Sequence, residues 1–328
     1  MSRQLIQIQV VHGDALTFEA DILALKYARG WYGVDAMVSA RLEKAGVEIE
    51  TSPEIGEAHL LDSRGSVAAR CVLFLGVERL QGFRYREIRE FGRAVLSELA
   101  RLASRTTTIA LTVHGPGYGL DEGEALRSEI AGLIDGLTGG TYPPNLETIS
   151  VVELDAERAA AITAVLRELV PHGTVEAHPT RHLSSLSALA RENLRSAGFE
   201  SAAKPHVFVA MPFHKAMLDI YRYGIERPVN DSGYLCERAD QAVFTGDILQ
   251  WLKDRIATSE LVIADLSGAN PNVYLEVGYA WGLKKRTVLL ANAADDVKFD
   301  VQGQKCLKYE TISELEEKLR SELAGLKA

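Results

Sequence analysis

Cysteine is scarce in this chain, whose 328 residues include only Cys71, Cys236 and Cys306. The three lie too far apart for the closely spaced ligand pairs of a zinc site, and an odd number does not complete a disulfide framework. We therefore expect free thiols in a reducing compartment and no bound metal.

Long apolar runs and an excess of positive charge are also absent. No stretch reaches the roughly 18 apolar residues of a membrane span, and the first residues lack the apolar core of a signal peptide. Lys and Arg number 36 against 45 Asp and Glu, which gives a formal net charge of −9. A general nucleic-acid binder needs a basic surface to neutralise phosphates. We expect a cytoplasmic protein that binds neither membranes nor nucleic acids in general.

The chain is long enough for two domains. Its composition, 47% hydrophobic and 25% charged residues, is that of globular proteins, and its length suggests two domains of roughly 150 residues each. Strands that alternate with helices predict, in each domain, a three-layer α/β fold with a mostly parallel sheet. We assign residues 1–170 to the first domain, 171–204 to a linker that contains a helix, and 205–328 to the second domain.

The second domain contains the strongest local pattern of the chain. Leu261–Asp265 is a short apolar run that ends on an aspartate, as buried parallel strands do. After a turn of small residues, Asn270 is a good N-cap and Pro271 suits the first helical position. The helix is predicted to continue to about Leu283, with Glu276 among its apolar residues. A strand–loop–helix unit of this kind places its loop and first helical turns where open α/β sheets bind ligands.

The run ADLSGANPNVYLEVGYA at 264–280 carries a family resemblance. It is similar to the signature of the nucleoside 2-deoxyribosyltransferase-like and TIR-like group of prokaryotic domains. The strand and loop at 207–213 and the segment ERAD at 237–240 fit the same group. The resemblance covers about residues 205–328 and implies a flavodoxin-type arrangement with a parallel sheet.

The same resemblance implies roles for individual residues. In that group a glutamate at the position of Glu276 attacks or stabilises the anomeric carbon of a ribosyl group. Asp265 and Asp247 would bind ribose hydroxyls or orient the loop. The other implied substrate-binding residues are Met211, Pro212, Phe213, Asn270, Asn272 and Tyr279. The transferases carry an aspartate six residues before the glutamate, and Asn270 stands there in this chain, which favours hydrolysis over deoxyribosyl transfer.

Each acidic residue also has an ordinary structural interpretation. Glu276 could form a buried salt bridge, for example with Arg238. Asp265 could cap the loop that follows its strand, and Asp247 could be a first-turn acid favoured by the helix dipole. Whether Glu276 faces an open pocket or a buried partner distinguishes the functional interpretation from the structural one.

An early Gly-Asp pair and two glycine-rich turns mark the first domain. The pair is Gly13-Asp14, and the turns lie at 30–35 and 115–119. Over about residues 5–170 this arrangement resembles a macro domain, or the related N-terminal domain of leucine aminopeptidases. The resemblance implies a ligand site at Asp14, Gly30, Gly33, Gly115, Gly117, Tyr118 and Gly119. Glycines in such turns let backbone N–H groups point at a phosphate.

The first domain departs from the family in two places. Its first glycine-rich loop holds only two glycines, with Trp31 and Tyr32 between them. ADP-ribosyl hydrolases carry asparagines after the second strand, where this chain has Leu25-Lys26-Tyr27-Ala28. We therefore expect the first domain to bind a nucleotide-type ligand rather than to turn one over.

Together the two resemblances predict an enzyme that cleaves the N-glycosidic bond of a nucleotide, with NAD as the first candidate and no required cofactor. An ADP-ribose-like molecule in the first domain would regulate it, and we expect a homo-oligomer. Similarity to bacterial antiphage proteins that pair a nucleotide sensor with a nucleotide-destroying domain favours a role in defence. Three alternatives stay open, namely a non-catalytic receptor that only binds nucleotides, a self-assembling TIR-like scaffold and a nucleoside 2-deoxyribosyltransferase.

Overall fold

The computed structural model describes residues 4–49, 52–177, 179–212, 214–238, 248–295 and 304–327. The contacts between residues divide the chain into two units. Unit 1 contains residues 1–116 and 122–202, and unit 2 contains residues 117–121 and 203–328. Both are α/β units with mostly parallel sheets, which confirms the predicted fold class. No described helix is both long enough and apolar enough to cross a lipid bilayer.

Unit 1 is built on a seven-stranded sheet. Its strands are β1 (Leu5–His12), β2 (Ile22–Tyr27), β3 (Ala58–Asp62), β4 (Cys71–Gly76), β5 (Thr108–Leu111), β6 (Thr148–Glu153) and β7 (Thr174–Glu176). Its helices are α1 (Val34–Lys44), α2 (Tyr85–Leu102), α3 (Glu122–Thr138), α4 (Ala156–Leu169), α5 (Pro179–Ser185) and α6 (Ala188–Ser196). The strand order is β3-β4-β2-β5-β6-β1-β7. The edge strands β3 and β7 pair antiparallel, and the other neighbours pair parallel.

The central strands of unit 1 are apolar on both faces. In β2, Leu23 and Leu25 share one core cluster with Val38 and Leu42 of α1, so α1 covers that face. Ala24, whose side chain alternates to the opposite face, is fully buried as well. Burial on both faces is the usual state of parallel strands, whose crossover helices lie on either side of the sheet.

The structure places most of the predicted linker in unit 1. β7 adds a three-residue strand to the sheet edge and pairs with β1, with Ile6 opposite Val175. After α6, the carbonyls of Leu194 and Ala197 accept hydrogen bonds from Arg89 of α2, at 2.9 and 2.6 Å. The segment up to residue 202 is therefore held by sheet pairing and by a buried guanidinium. A strand of three residues is too short for a recognisable alternation, which is why the sequence indicated a linker there.

Unit 2 is built on a five-stranded parallel sheet. Its strands are β8 (His206–Ala210), β9 (Leu235–Arg238), β10 (Leu261–Asp265), β11 (Arg286–Asn292) and β12 (Cys306–Tyr309). Its helices are α7 (Arg227–Asp231), which a π-helical turn at Ile220–Glu226 precedes, α8 (Ile248–Thr258), α9 (Pro271–Gly282) and α10 (Ile312–Lys327). The strand order is β9-β8-β10-β11-β12, and each neighbouring pair is parallel. This is the 2-1-3-4-5 order of flavodoxin-like sheets, with its switch point between β8 and β10.

Two apolar cores lie on the two faces of this sheet. Ile263 of β10 faces a cluster that includes Leu315 and Leu319 of α10. Val262, its neighbour in the strand, faces the other cluster, which contains Trp251 of α8 together with side chains of α9. The alternation of β10 therefore places α8 and α9 on the same face of the sheet.

A short segment preceding α3 belongs to unit 2. The main-chain N–H of Cys236 donates to the carboxylate of Asp121 at 3.0 Å, and that of Arg238 donates to the carbonyl of Gly119 at 3.1 Å. Residues 117–121 are thus hydrogen-bonded to β9.

Candidate functional site

The helix that carries Glu276 begins and ends where the sequence predicts. Asn270 caps it, since its side-chain oxygen accepts the N–H of Asn272 at 2.9 Å, and Pro271 occupies the first turn. The strand before it, Leu261–Asp265, is confirmed residue for residue. With both ends of α9 fixed by local signals, the direction in which Glu276 points follows from helical geometry.

A pocket of about 450 Å³ lies between α8 and α9 of unit 2. The described residues that line it are Leu249, Leu252, Lys253, Ile256, Asn272, Leu275, Glu276 and Tyr279. On each helix the four residues follow the spacing i, i+3, i+4, i+7, which places them on one face. The pocket is therefore formed by two facing helical stripes, one contributed by each helix.

The walls of this pocket are mostly apolar. Leu252 and Ile256 are buried at its base, whereas Leu249 and Leu275 are 51% and 64% exposed. Tyr279 adds an aromatic ring. Mostly apolar concave sites with a few polar groups are typical of small-molecule binding, and the volume lies within the usual range of roughly 300–1,000 Å³.

Glu276 is the acidic group of the pocket. Within the described part of the chain, its carboxyl group has no hydrogen-bond or ion-pair partner. Burial among apolar side chains raises the pKa of Glu276 to about 7, because desolvation disfavours the charged form. The anticipated salt bridge to Arg238 is not formed, since the Arg238 guanidinium lies 4.0 Å from the ring centre of Tyr221. The functional interpretation of Glu276 requires a carboxyl group that faces an open pocket and has no partner. Among the described residues, Glu276 has this geometry.

Asp265 lies elsewhere and is fully engaged. It is completely buried. One carboxylate oxygen accepts the N–H of Ser267 at 2.9 Å, and the other accepts the hydroxyl of Tyr309 at 2.7 Å. Its observed role is to hold the loop after β10 against the end of β12.

Two of the remaining predicted residues of unit 2 line the pocket. Asn272 and Tyr279 line it with Glu276. Met211 and Pro212 are buried after β8 and are not among the described residues that line the pocket. The last two of the predicted residues, Phe213 and Asp247, lie outside the residues that the structure describes.

Four residues of α8 complete the pocket and were not predicted. Leu252 and Ile256 are ordinary buried residues of their helix, and no motif singles out Leu249 or Lys253. A signal was present, because these four residues repeat the spacing of the α9 stripe. It could be used only once α8 was known to pack beside α9.

The first predicted ligand loop of unit 1 lies between β2 and α1. Gly33 caps α1 with a left-handed backbone angle, φ 56°. Trp31 packs on Tyr27 and Phe74, with ring centres 4.7 and 4.8 Å apart. A side-chain atom added at Gly30 would lie 2.7 Å from the hydroxyl of Tyr32. The aromatic rings of the loop thus pack on unit 1 itself.

A buried ion pair stands where the family carries its asparagines. Lys26, near the end of β2, pairs with Asp35 in the first turn of α1, and both side chains are almost fully buried. The pair ties the end of the strand to the start of the helix. The absence of turnover in unit 1 stays a prediction.

The other predicted ligand residues are divided between the two units. A carboxylate oxygen of Asp14 accepts the N–H of Leu16 at 2.9 Å and so holds a turn. Gly115 belongs to unit 1 and has φ 117°. Gly117, Tyr118 and Gly119 belong to unit 2, where Tyr118 is buried.

Unit 1 also contains a buried histidine–glutamate pair beside the second turn. His114 Nδ1 lies 2.8 Å from one carboxylate oxygen of Glu129, and the His114 main-chain N–H donates to the other at 3.2 Å. His114 is 3% exposed and Glu129 is fully buried. The pair fixes the loop after β5 to the middle of α3.

Comparisons with known proteins bear on the N-terminal half. No protein-family model matches the sequence, and no curated protein matches it. Solved structures similar to the chain include the macrodomain of Oceanobacillus iheyensis with MES bound, at 14% identity and a TM-score of 0.38, over 52% of this chain and 99% of that chain. The macro domain of ganglioside induced differentiation associated protein 2 has 15% identity and a TM-score of 0.37, over 51% of this chain and 84% of that one. The Oceanobacillus macrodomain with ADP has 14% identity and a TM-score of 0.38, over 52% of this chain and 99% of that chain. Similarity at this level assigns neither a function nor a residue role to this chain.

Proposed function

We propose that this protein hydrolyses the N-glycosidic bond of a nucleotide in the α8–α9 pocket of unit 2, with Glu276 as the catalytic carboxylate. The observation that carries the proposal is a carboxyl group that lines an apolar pocket and has no partner among the described residues. A carboxyl group is costly to bury in this way, and such groups are concentrated at functional sites. The sequence motif at 264–280 supports the same role.

The chemistry requires negative charge beside the anomeric carbon. As the C1′–N bond breaks, its electron pair leaves with the base, and positive charge develops on C1′ and the ring oxygen. An ionised carboxylate stabilises that charge or forms a covalent ribosyl intermediate, as in glycosidases. Water then adds its oxygen to C1′ and releases a proton. In a partly desolvated pocket the electrostatic stabilisation is stronger than in water.

NAD is the first candidate substrate because of its charge. Its nicotinamide ring is cationic before cleavage and leaves as a neutral base, so the pocket does not have to supply a proton to the leaving group. A cationic ring also favours the ionised form of Glu276, whose pKa is raised to about 7 in the unoccupied pocket. Substrate binding and activation of the carboxylate thus reinforce each other.

Unit 1 is proposed as the regulatory part of the protein, with an ADP-ribose-like ligand. Its support is the Gly-Asp pair and the first glycine-rich turn of the sequence, with Gly33 in a conformation that favours glycine. The neutralised Lys26 supports binding without turnover.

The proposal is tested by incubating the full-length chain with nucleosides, nucleotides and NAD and measuring base release by chromatography. Glu276→Gln keeps the shape of the side chain and removes the charge, so base release should fall by about 100-fold or more. Glu260→Gln makes the same change at an exposed position of unit 2 and should leave the rate unchanged. Turnover near the wild-type rate in well-folded Glu276→Gln would remove Glu276 from the mechanism.

A further inference from the structure

The pocket carries a second charge that the glycosidic chemistry does not use. Lys253 of α8 lines the same pocket as Glu276 of α9. Within the described residues, the two form no ion pair with each other, and neither forms one with any other side chain. Lys253 is half-buried, with Nζ 6.0 Å from the ring centre of Tyr279.

The local sequence explains why both charges are unpaired. Charged side chains on a helix normally find partners three or four residues away. The residues at those distances from Lys253 are Leu249, Gln250, Ile256 and Ala257, and those around Glu276 are Asn272, Val273, Tyr279 and Ala280. None of them carries the opposite charge. Each helix therefore presents a charge to the pocket that its own turns cannot neutralise.

Neighbouring charges of α8 do have partners. Asp254 accepts a hydrogen bond from Gln250 at 2.9 Å. Arg255 donates to the buried carboxylate of Glu237 at 2.8 Å. Among the described residues, the absence of an ion-pair partner is thus a property of Lys253 and not of the helix as a whole.

We infer that Lys253 binds the phosphate of the substrate whose glycosidic bond lies at Glu276, so that the pocket selects nucleotides over nucleosides. This inference rests on the proposed function. Two unpaired charges of opposite sign in one pocket suit a ligand with an anionic group near one end and developing positive charge near the other. A ribosyl phosphate has this distribution, with the phosphate on C5′ and the reacting carbon at C1′. Lysine binds phosphate as a point charge with three N–H donors.

The test compares two substrates that share one glycosidic bond, nicotinamide riboside and nicotinamide mononucleotide. The wild-type chain should prefer the mononucleotide in kcat/KM. Lys253→Met should raise the KM for the mononucleotide by about 10–100-fold, the size expected when a hydrogen bond to a charged group is lost. The KM for the riboside and the kcat for both substrates should stay within about twofold, because the phosphate contact is equally present in ground and transition states.

Two control variants make the test specific. Lys253→Arg keeps the charge and should retain most of the preference for the mononucleotide. Lys284→Met removes an exposed positive charge of unit 2 outside the pocket and should leave the kcat and KM for both substrates unchanged. Equal losses on both substrates in Lys253→Met, or a wild-type chain without preference, would overturn the inference.

Failure of the proposed function has a different signature. If the wild-type chain releases base from no compound of the panel, the hydrolase proposal fails, and calorimetric binding of nicotinamide riboside and nicotinamide mononucleotide still tests Lys253. Tighter binding of the mononucleotide that Lys253→Met abolishes would support the phosphate contact alone. Equal affinities, or no binding of either compound, would overturn it.

Discussion

At the scale of single residues, burial of Glu276 carries a cost in stability. The apolar pocket favours the neutral form of its carboxyl group. Ionising the group costs free energy, and no described residue offsets that cost with a hydrogen bond or an ion pair. A pKa near 7 lies close to the operating pH of most enzymes, where a group can exchange between its two forms. Asp265 shows the opposite case, because both of its oxygens accept hydrogen bonds inside the fold.

The raised pKa of Glu276 predicts a pH-dependent difference in stability between the wild type and Glu276→Gln. The pKa of this group is raised to about 7 in the folded state. Between the ordinary pKa of 4.5 and about 7, the folded chain therefore holds a proton that the unfolded chain has lost, so wild-type stability falls as pH rises through that window. Glu276→Gln stays neutral and should be the more stable protein at pH 8, by on the order of 1–3 kcal/mol.

Urea unfolding followed by circular dichroism at pH 4 and pH 8 measures this difference. The advantage of Glu276→Gln should be near zero at pH 4, where both states of the wild type are protonated. Glu260→Gln should show no advantage at either pH. An equal effect of Glu276→Gln at both pH values would mean that the carboxyl group is not desolvated.

The sequence identified three of the eight described residues that line the pocket and could not identify the other five. Asn272, Glu276 and Tyr279 lie on one helical face, and a motif of consecutive residues pointed to that helix. Lys253 lies on another helix, and its place in the pocket depends on how α8 packs beside α9. Packing across a sheet face is a long-range property that local spacing does not encode.

At the scale of elements, local signals decided which parts of the fold were predictable. Leu261–Asp265 and Pro271–Gly282 were predicted because an aspartate, a capping asparagine and a proline mark their ends. Ala58–Asp62 was missed, since a short edge strand lacks such signals and depends on pairing with β4. The adjacent strand β4 begins only at Cys71, because the main-chain N–H groups of Ala68 and Arg70 donate to loop carbonyls before β2.

In the segment 117–121, the backbone angle and the close packing at Gly119 both require a glycine. Gly119 has φ 95°, and an added side-chain atom would lie 2.5 Å from the ring of Trp251 and 2.8 Å from the carbonyl of Arg238. The close approach that the sequence suggested for a phosphate is thus occupied at this residue by unit 2 itself. Asp121 completes the attachment through the N–H of Cys236.

Gly119→Ala is predicted to destabilise unit 2 by about 2–4 kcal/mol, which combines backbone strain with overpacking. Gly140→Ala is the matched control, since Gly140 has φ 77° and open space around it. It should cost only about 1 kcal/mol, the strain term alone. Chemical denaturation measures the free energy of unfolding of the two variants. Equal decreases in both would show that the contacts with Trp251 and Arg238 do not add to the cost at Gly119.

At the scale of the whole molecule, two α/β units share one chain. The chain leaves unit 1 after Pro116 and returns to it at Glu122, so the second glycine-rich turn is divided between the units. Regulation requires that a ligand bind the active arrangement more tightly than the resting one.

The regulatory proposal predicts that ligand in unit 1 changes the rate in unit 2. A coupling free energy of roughly 1–3 kcal/mol corresponds to about 5–150-fold in activity or affinity. Base release by the full-length chain should change by such a factor when ADP-ribose is added at a concentration that calorimetry shows to be saturating. Identical rates with and without bound ADP-ribose would leave unit 1 without a regulatory role.

The pH dependence of base release by the full-length chain tests the central claim most directly. The kcat/KM profile reports the ionisation of essential groups in the free enzyme. With Glu276 required in its ionised form and its pKa raised to about 7, kcat/KM should rise with pH through that value and level off above it. A profile that is flat between about pH 5.5 and 8.5, or no base released from any compound of the panel, would contradict the account.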